Sequence, residues 1–285
     1  MNAATTTDTT ERRTARKGAN SAAMSYGRGA QVLAATGGGL LIALHGLRPD
    51  LSPLSRFVSE YAVGPYGSVM RVTFFACGAA LLCLGRAYHA GTLNRPWRIG
   101  VWLHYLAGAV MAAAGVFSMD PMTTPADQMT LEGQLHGFTG MIGMPAQPIG
   151  AALLAWGAWR AGHRAKVFLA PAAALSCASL IALDVSIISI MAAGPATFPL
   201  DTWVGLFNRG WFVGFFVWVF TAARSSLQSV HQSDDISSQS LHLEVMQLLP
   251  LMESLEECLA LSQRDGHDDQ SELVDERVVD QARDE

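Results

Sequence analysis

The sequence predicts an all-α polytopic membrane protein with six transmembrane helices, both termini in the cytoplasm, and a short helical or disordered C-terminal tail. Half of the 285 residues are hydrophobic and only 15% are charged, against about 25% charged residues in a soluble domain. This composition excludes an ordinary soluble enzyme, a disordered chain and a nucleic-acid-binding protein. Two further observations, the length of the apolar segments and the placement of basic residues, specify the topology.

Six apolar segments are long enough to cross the bilayer core, which takes about 20 helical residues. Lipid offers no hydrogen-bond partners to the backbone, so we expect these segments to be helices rather than strands. They cover residues 29–47, 68–88, 97–119, 135–159, 167–191 and 203–223.

Basic residues alternate between the two ends of these spans. Arginine and lysine are frequent in residues 1–28, 86–98 and 160–166, whereas residues 120–134 and 192–202 contain neither. Basic loops stay on the cytoplasmic side of a membrane. The pattern therefore predicts a multi-pass cell-membrane protein whose loops after the first, third and fifth spans lie outside.

The chain divides into three predicted regions: a basic cytoplasmic N-terminal tail (1–28), a six-helix transmembrane domain (29–224) and an acidic cytoplasmic tail with short amphipathic helices (225–285). The last region holds 15 acidic residues and only 3 arginines. Within it, apolar residues in 241–261 follow a coiled-coil-like spacing, which indicates a protein partner or self-association. A purely solubilising tail is the alternative.

Polar and ionisable side chains gather in the outer third of the predicted bundle. Such groups are costly at membrane depth and usually mark a site or an ion pair. Asp184 is the most informative because apolar residues flank it, and we expect Arg71 or Arg209 to be its partner. The candidate ligand-binding residues are Ser59, Glu60, Arg71, Asp120, His136, Gln147, Asp184, Asn208 and Arg209.

Two segments near this cluster are expected to be irregular or interfacial. Ser52 followed by Pro53 is a favourable helix start, which predicts a short interfacial helix over residues 52–61. Pro145 and Pro148 predict a broken fourth span, in which Gln147 could contact a ligand. A kink used only for packing is the alternative.

Three stretches carry a family resemblance. They are residues 45–61, with Ser59 and Glu60 near their end; residues 116–121, which contain Asp120 and are followed by His136; and residues 205–209. Their order and spacing resemble those of the bacterial six-helix membrane family catalogued as domain of unknown function 998. The resemblance covers residues 29–224 and implies the topology and the position of a site, but no chemistry. Asn208 stands where family members often carry glutamate.

Three functions fit these observations. The first is binding or transport of a small molecule or lipid at the outer side, with Arg71 and Arg209 holding an anionic head group. The second is an accessory or sensory role through the C-terminal tail. The third is metal-dependent hydrolysis, with zinc held by His45, Asp120, His136 and Asp184.

The sequence favours the first two functions over catalysis, because it lacks the short histidine spacings of known zinc hydrolases. We expect membrane lipids and a small-molecule or lipid ligand as partners, and no nucleic acid. We also expect no resident cofactor, with zinc as the alternative.

Overall fold

The computed structural model describes residues 3–89, 91, 93–192 and 202–227, with side chains from residue 18 onward. This part of the chain contains six long α-helices and no strands. Each helix is long and apolar enough to cross a membrane, which confirms the predicted fold class. The helices are α1 (Ala3–Leu47), α2 (Gly67–His89), α3 (Arg95–Val116), α4 (Leu131–Arg160), α5 (Lys166–Ala192) and α6 (Val204–Leu227).

Helices α1 and α4 begin before the predicted apolar segments. α4 begins at Leu131, four residues before the predicted span, because the Thr130 hydroxyl accepts a hydrogen bond from the Gly133 N–H (3.1 Å). α1 extends back through the polar N-terminal region to Ala3. Its membrane-spanning part, Gly18–Leu47, contains the predicted first span.

α6 lies at the centre of the bundle and contacts each of the other five helices. Three of its aromatic side chains, Trp211, Phe215 and Trp218, are fully buried. The contacts are hydrogen bonds of Arg209 with His45 of α1, Ala222 with Tyr88 of α2, Trp218 with His104 of α3 and Trp211 with Met144 of α4, and the packing of Gly214 against Ser179 of α5.

α5 lies at the edge of the bundle. Its buried residues end at Leu183, and none of the nine residues that follow in the helix is buried against the protein. The final turns of α5 are therefore exposed on one side, to lipid in a membrane, while Ile187 and Ile190 pack against the core on the other.

Glycines bring α2 and α3 into backbone contact. A Cβ atom built on Gly78 would lie 2.7 Å from the Gly108 carbonyl oxygen, and one built on Gly108 would lie 2.8 Å from the Gly78 carbonyl oxygen. Small residues at helix interfaces allow this close approach in membranes, where dispersion replaces the hydrophobic effect between helices. The α2–α3 pair is thus closed by reciprocal glycine contacts.

The end of the bundle where α1 and α3 end and α2, α4 and α6 begin is called the polar end below. Its first loop, residues 48–66, contains a 3₁₀ helix, Val58–Ala62, rather than the predicted interfacial helix over 52–61. That prediction was wrong because tertiary contacts take the backbone groups that an α-helix would pair internally. The contacts are those of Leu54 O with Leu206 N–H (3.0 Å), Arg56 O with Arg209 (2.8 Å) and Val58 N–H with Asn208 (2.8 Å).

Arg48 closes the base of this loop. Its guanidinium donates to the Asp50 carboxylate (2.7 and 2.8 Å) and to the Val63 carbonyl oxygen (2.7 Å). The hydrogen bond with Asp50 raises the pKa of Arg48, and the same bond lowers the pKa of Asp50. Arg48 therefore ties the end of α1 to the segment that leads into α2.

Candidate functional site

A cavity of about 460 Å³ lies at the polar end between α3, α4, α5 and α6, bordered by the α1–α2 loop. Most of its lining is aliphatic or aromatic. Four of the nine predicted ligand-binding residues line it: Ser59, His136, Asp184 and Asn208. Thr139 also lines it and was not predicted, since a threonine inside an apolar helix gives no separate sequence signal.

Asn208 links the cavity wall to the α1–α2 loop. Its side chain is buried, and its Oδ1 accepts a hydrogen bond from the Val58 N–H (2.8 Å). Because this bond joins residues 150 positions apart, the position of the loop over the cavity depends on α6. The side-chain oxygen of Asn208 therefore holds the loop in place.

Arg209 donates four hydrogen bonds, two of which hold the same loop. It donates to the Arg56 and Gly205 carbonyl oxygens (2.8 and 3.0 Å), the Tyr61 hydroxyl (3.0 Å) and His45 Nε2 (2.7 Å). A guanidinium presents five N–H donors in a rigid fork, which suits such divergent acceptors. Arg209 therefore joins α1, α6 and the loop by hydrogen bonds.

His45 is held through both of its ring nitrogens. Its Nδ1 lies 2.7 Å from the Leu41 carbonyl oxygen, which can only accept, so Nδ1 carries the proton. Nε2 is then the lone-pair atom that accepts from Arg209. Both ring nitrogens of His45 are therefore used within the fold.

His136 is held at one nitrogen only. Its Nδ1 lies 3.1 Å from the Ala114 carbonyl oxygen and 3.0 Å from the Phe117 carbonyl oxygen, so Nδ1 is the donor. The Phe74 ring packs against the imidazole edge-on, with centroids 5.7 Å apart. His136 lines the cavity, and among the described residues no hydrogen bond is formed by its Nε2, which is the acceptor nitrogen of this tautomer.

Glu60 is a buried carboxylate beside the cavity wall. Its Oε1 accepts from Arg56 (3.0 Å) and from the Met122 N–H (3.1 Å), while its Oε2 is buried and has no hydrogen-bond partner among the described residues. Burial raises the pKa of Glu60 above its usual value, although the Met122 N–H and the charge of Arg56 oppose the shift. Glu60 thus stabilises the packing of the two loops rather than lining the cavity.

The raised pKa of Glu60 predicts how stability changes with pH. Glu60 binds a proton more tightly in the folded protein than in the unfolded chain. Protonation of Glu60 therefore stabilises the fold at low pH, and this stabilisation is lost as the pH rises through the raised pKa. In thermal unfolding from about pH 4.5 to 8, the Tm of Glu60→Gln relative to wild type should therefore rise with pH. Glu132→Gln, which removes an exposed carboxylate at the same end, is the control. A difference that falls with pH for Glu60→Gln would contradict the assignment.

α4 remains one continuous helix despite Pro145 and Pro148. Pro148 removes the donor that would pair with the Met144 carbonyl oxygen, and the Trp211 Nε1–H donates to that oxygen instead (3.3 Å). The predicted break is therefore wrong: α4 continues through both prolines, and the carbonyl oxygen freed by Pro148 accepts a hydrogen bond from α6.

Gln147 lies behind the cavity wall, between α4 and α5. Its Oε1 accepts from the Ser176 hydroxyl (3.0 Å), and its buried Nε2 has no hydrogen-bond partner within the described ranges. Gln147 is not among the residues that line the cavity. Its role as a ligand contact stays a prediction.

Asp184 lines the cavity from α5, at a position that is exposed in the protein alone. The expected ion pair with Arg71 or Arg209 is not formed in the described part of the chain. Arg209 is bound to the loop, and the guanidinium of Arg71 donates to the Ser118 hydroxyl in a separate cleft. Asp184 is therefore the carboxylate of the cavity lining.

Asp120 caps the start of α4 rather than entering the cavity. Its carboxylate accepts from the Thr130 N–H (2.7 Å) and from the Thr130 hydroxyl (3.1 Å). These bonds fix the α3–α4 loop against the first turn of α4, which places His136 one turn further along.

The four predicted zinc ligands are engaged in different places. His45 is bound to Arg209, Asp120 to Thr130, and only His136 and Asp184 line the cavity. Within the described ranges, no group of three or more His, Cys, Asp or Glu side chains is placed to hold a metal ion. Zinc binding therefore stays a prediction without support from this geometry.

Sequence reasoning missed the aromatic wall of the cavity. Trp211 and Phe212 of α6 line it together with Phe57 and Phe74. In a sequence, aromatic residues of a transmembrane segment are equally typical of lipid contacts and of helix packing. Only the rotation of α6 in the bundle identifies Trp211 and Phe212 as cavity residues.

A family model described as "Protein of unknown function (DUF998)" matches residues 29–225. No curated protein and no solved structure matches the chain. The match runs from within α1 to near the end of α6, and it confirms the resemblance predicted from the three stretches. Residues of those stretches, including His45, Asp120 and Arg209, make the hydrogen bonds that build the polar end. The predicted interaction segment 241–261 lies outside the described residues.

Proposed function

The chain belongs to the family described as protein of unknown function (DUF998), and on that premise we propose that it binds a small amphiphilic molecule or lipid in the α3–α6 cavity. The observation that carries this proposal is the composition of the cavity wall. Aliphatic and aromatic side chains form most of it, and Ser59, His136, Asp184 and Asn208 add polar groups. A volume of about 460 Å³ falls in the range of roughly 300–1,000 Å³ that small-molecule sites occupy.

Access from the bilayer supports an amphiphile rather than a water-soluble ligand. Met141 lines the cavity and is 76% exposed in the protein alone, and Asp184 is exposed as well. Met141 and Asp184 lie in the part of the bundle where the residues of α5 that follow Leu183 are no longer buried. An alkyl chain can therefore enter sideways between α4 and α5, while its head group stays near the polar side chains.

The same proposal places the polar end at the outer surface of the cell membrane and both termini in the cytoplasm. Its support is the distribution of arginine and lysine, which are absent from residues 120–134 and frequent in 86–98 and 160–166. A ligand would then be taken from the outer leaflet.

Gly140 allows the cavity to be filled without disturbing the fold. It lines the cavity, lies one turn from both His136 and Met144 on α4, and has nothing within 4 Å of a Cβ atom built on it. Gly140→Leu should therefore add a side chain in open space. We expect the amphiphile that co-purifies with the protein, quantified by mass spectrometry after extraction, to fall about tenfold per mole of protein.

Gly39→Leu is the matched control. Gly39 is also helical, has open space around a built Cβ atom, and lies in α1 away from the cavity. Gly39→Leu should retain the wild-type amount of amphiphile, and both variants should keep the wild-type Tm or exceed it. Equal retention by wild type, Gly140→Leu and Gly39→Leu would refute the proposed function.

A further inference from the structure

We infer that the amphiphile bound in the α3–α6 cavity carries a positively charged ammonium head group; this inference rests on the proposed function. The first observation is the charge of the cavity wall. Among the described residues, the lining contains one carboxylate, Asp184, and no arginine or lysine.

The two arginines that would recognise an anionic head group are used elsewhere. Arg209 donates to two backbone carbonyl oxygens, to Tyr61 and to His45, and Arg71 donates to Ser118 outside the cavity. Drawing Arg209 toward a ligand would break its hydrogen bonds to Arg56, Tyr61 and His45. Among the described residues, the anionic head group expected from the sequence therefore lacks a cationic partner in this cavity.

The carboxylate of Asp184 favours a ligand with a positively charged head group. It lies eight residues before the end of α5 at Ala192, which corresponds to about 12 Å along the helix. A carboxylate at such a depth needs a counter-charge or a proton, because burying an isolated ion in hydrocarbon is expensive. Since the described side chains provide no ion pair for Asp184, a cationic ligand can supply that counter-charge.

Aromatic rings provide a second recognition element. Phe57, Phe74, Trp211 and Phe212 line the cavity, and the rings of Trp211 and Phe212 meet edge-to-face with centroids 5.0 Å apart. Ring faces attract cations, and walls of this kind recognise quaternary ammonium groups. The acceptor Nε2 of His136 adds a further group that favours a positive ligand over a negative one.

A series of probes with one alkyl chain and three head groups separates these contributions. Dodecyltrimethylammonium, dodecanol and dodecyl sulfonate differ in head-group charge and keep it across neutral pH. Their binding is measured to the full-length protein in nanodiscs of digalactosyldiacylglycerol, an uncharged lipid without an ammonium group, with partition into empty nanodiscs subtracted. We expect the ammonium probe to bind roughly tenfold more tightly than dodecanol and the sulfonate to bind more weakly than dodecanol.

Two variants assign the effect to Asp184. Asp184→Asn should lower the affinity for dodecyltrimethylammonium about tenfold and leave the affinity for dodecanol unchanged. Asp127→Asn makes the same chemical change at an exposed residue of the α3–α4 loop outside the cavity, and it should leave the affinity for all three probes unchanged.

The outcomes distinguish this inference from the proposed function. If dodecanol binding is lost in Gly140→Leu but the ammonium probe shows no preference, or keeps its preference in Asp184→Asn, the inference is wrong while the cavity still binds amphiphiles. If the binding of no probe depends on Gly140→Leu, the proposed function fails and the inference fails with it.

Discussion

Replacing Arg209 with glutamine is expected to lower the free energy of unfolding by about 2–4 kcal/mol, because it leaves several acceptors around the α1–α2 loop without their donor. The lost bonds are those to His45, the Tyr61 hydroxyl and the Arg56 carbonyl oxygen, all between 2.7 and 3.0 Å. Arg209→Lys should recover only part of the loss, since an ammonium group cannot reach acceptors arranged in a fork. Reversible unfolding in mixed detergent micelles measures both variants.

Arg224→Gln is the control for the loss of a positive charge from α6. Arg224 lies in the same helix but is exposed and far along the chain from the polar end. Its replacement should change the free energy of unfolding by less than about 0.5 kcal/mol. If Arg209→Gln were as stable as Arg224→Gln, the hydrogen bonds of Arg209 would not be holding the loop.

A second large loss of stability is expected when a side chain is added at the α2–α3 contact. A Cβ atom on Gly108 would lie 2.8 Å from the Gly78 carbonyl oxygen and 2.9 Å from Leu82 Cγ, so Gly108→Ala must push the two helices apart. We expect a loss of about 1–3 kcal/mol in the free energy of unfolding. Gly108→Leu should prevent recovery of folded protein.

Gly210→Ala separates this steric effect from helix propensity. Gly210 lies in α6 with nothing within 4 Å of a built Cβ atom, and alanine favours a helix over glycine by about 1 kcal/mol. Gly210→Ala should therefore be as stable as wild type or more stable. Similar unfolding free energies for Gly108→Ala and Gly210→Ala would show that the α2–α3 contact tolerates a wider spacing.

The transmembrane helices could be predicted because a bilayer leaves the backbone few alternatives. α5 shows this clearly: its apolar residues run from Val167 to Met191, and the helix covers Lys166–Ala192. Length, hydropathy and the need for internal hydrogen bonds determine such a segment without reference to its neighbours.

The first loop could not be predicted from local signals. Ser52 and Pro53 do favour a helix start, but the backbone of Leu54, Arg56 and Val58 is paired with α6. These partners lie about 150 residues away in the sequence. Local propensity loses to such contacts because each one satisfies a buried backbone group that would otherwise cost free energy.

The partners of the site residues also depend on how each helix is rotated. A sequence gives the depth of Asp184, Arg71 and Arg209 but not the direction in which each side chain leaves its helix. The structure turns Arg209 toward α1 and the loop, and Arg71 toward Ser118. The same rotation of α6 brings Trp211 to the cavity, where its position in the sequence gave no indication of a ligand site.

The most direct test of the amphiphile-binding cavity is a cryo-electron microscopy map of the protein in nanodiscs, enlarged by a bound antibody fragment. We expect an elongated density between α3, α4, α5 and α6, with one end beside Asp184, and its loss in a map of Gly140→Leu. A wild-type map in which side chains of α4 and α6 close this space, or in which it holds no such density, would show that the cavity does not bind an amphiphile.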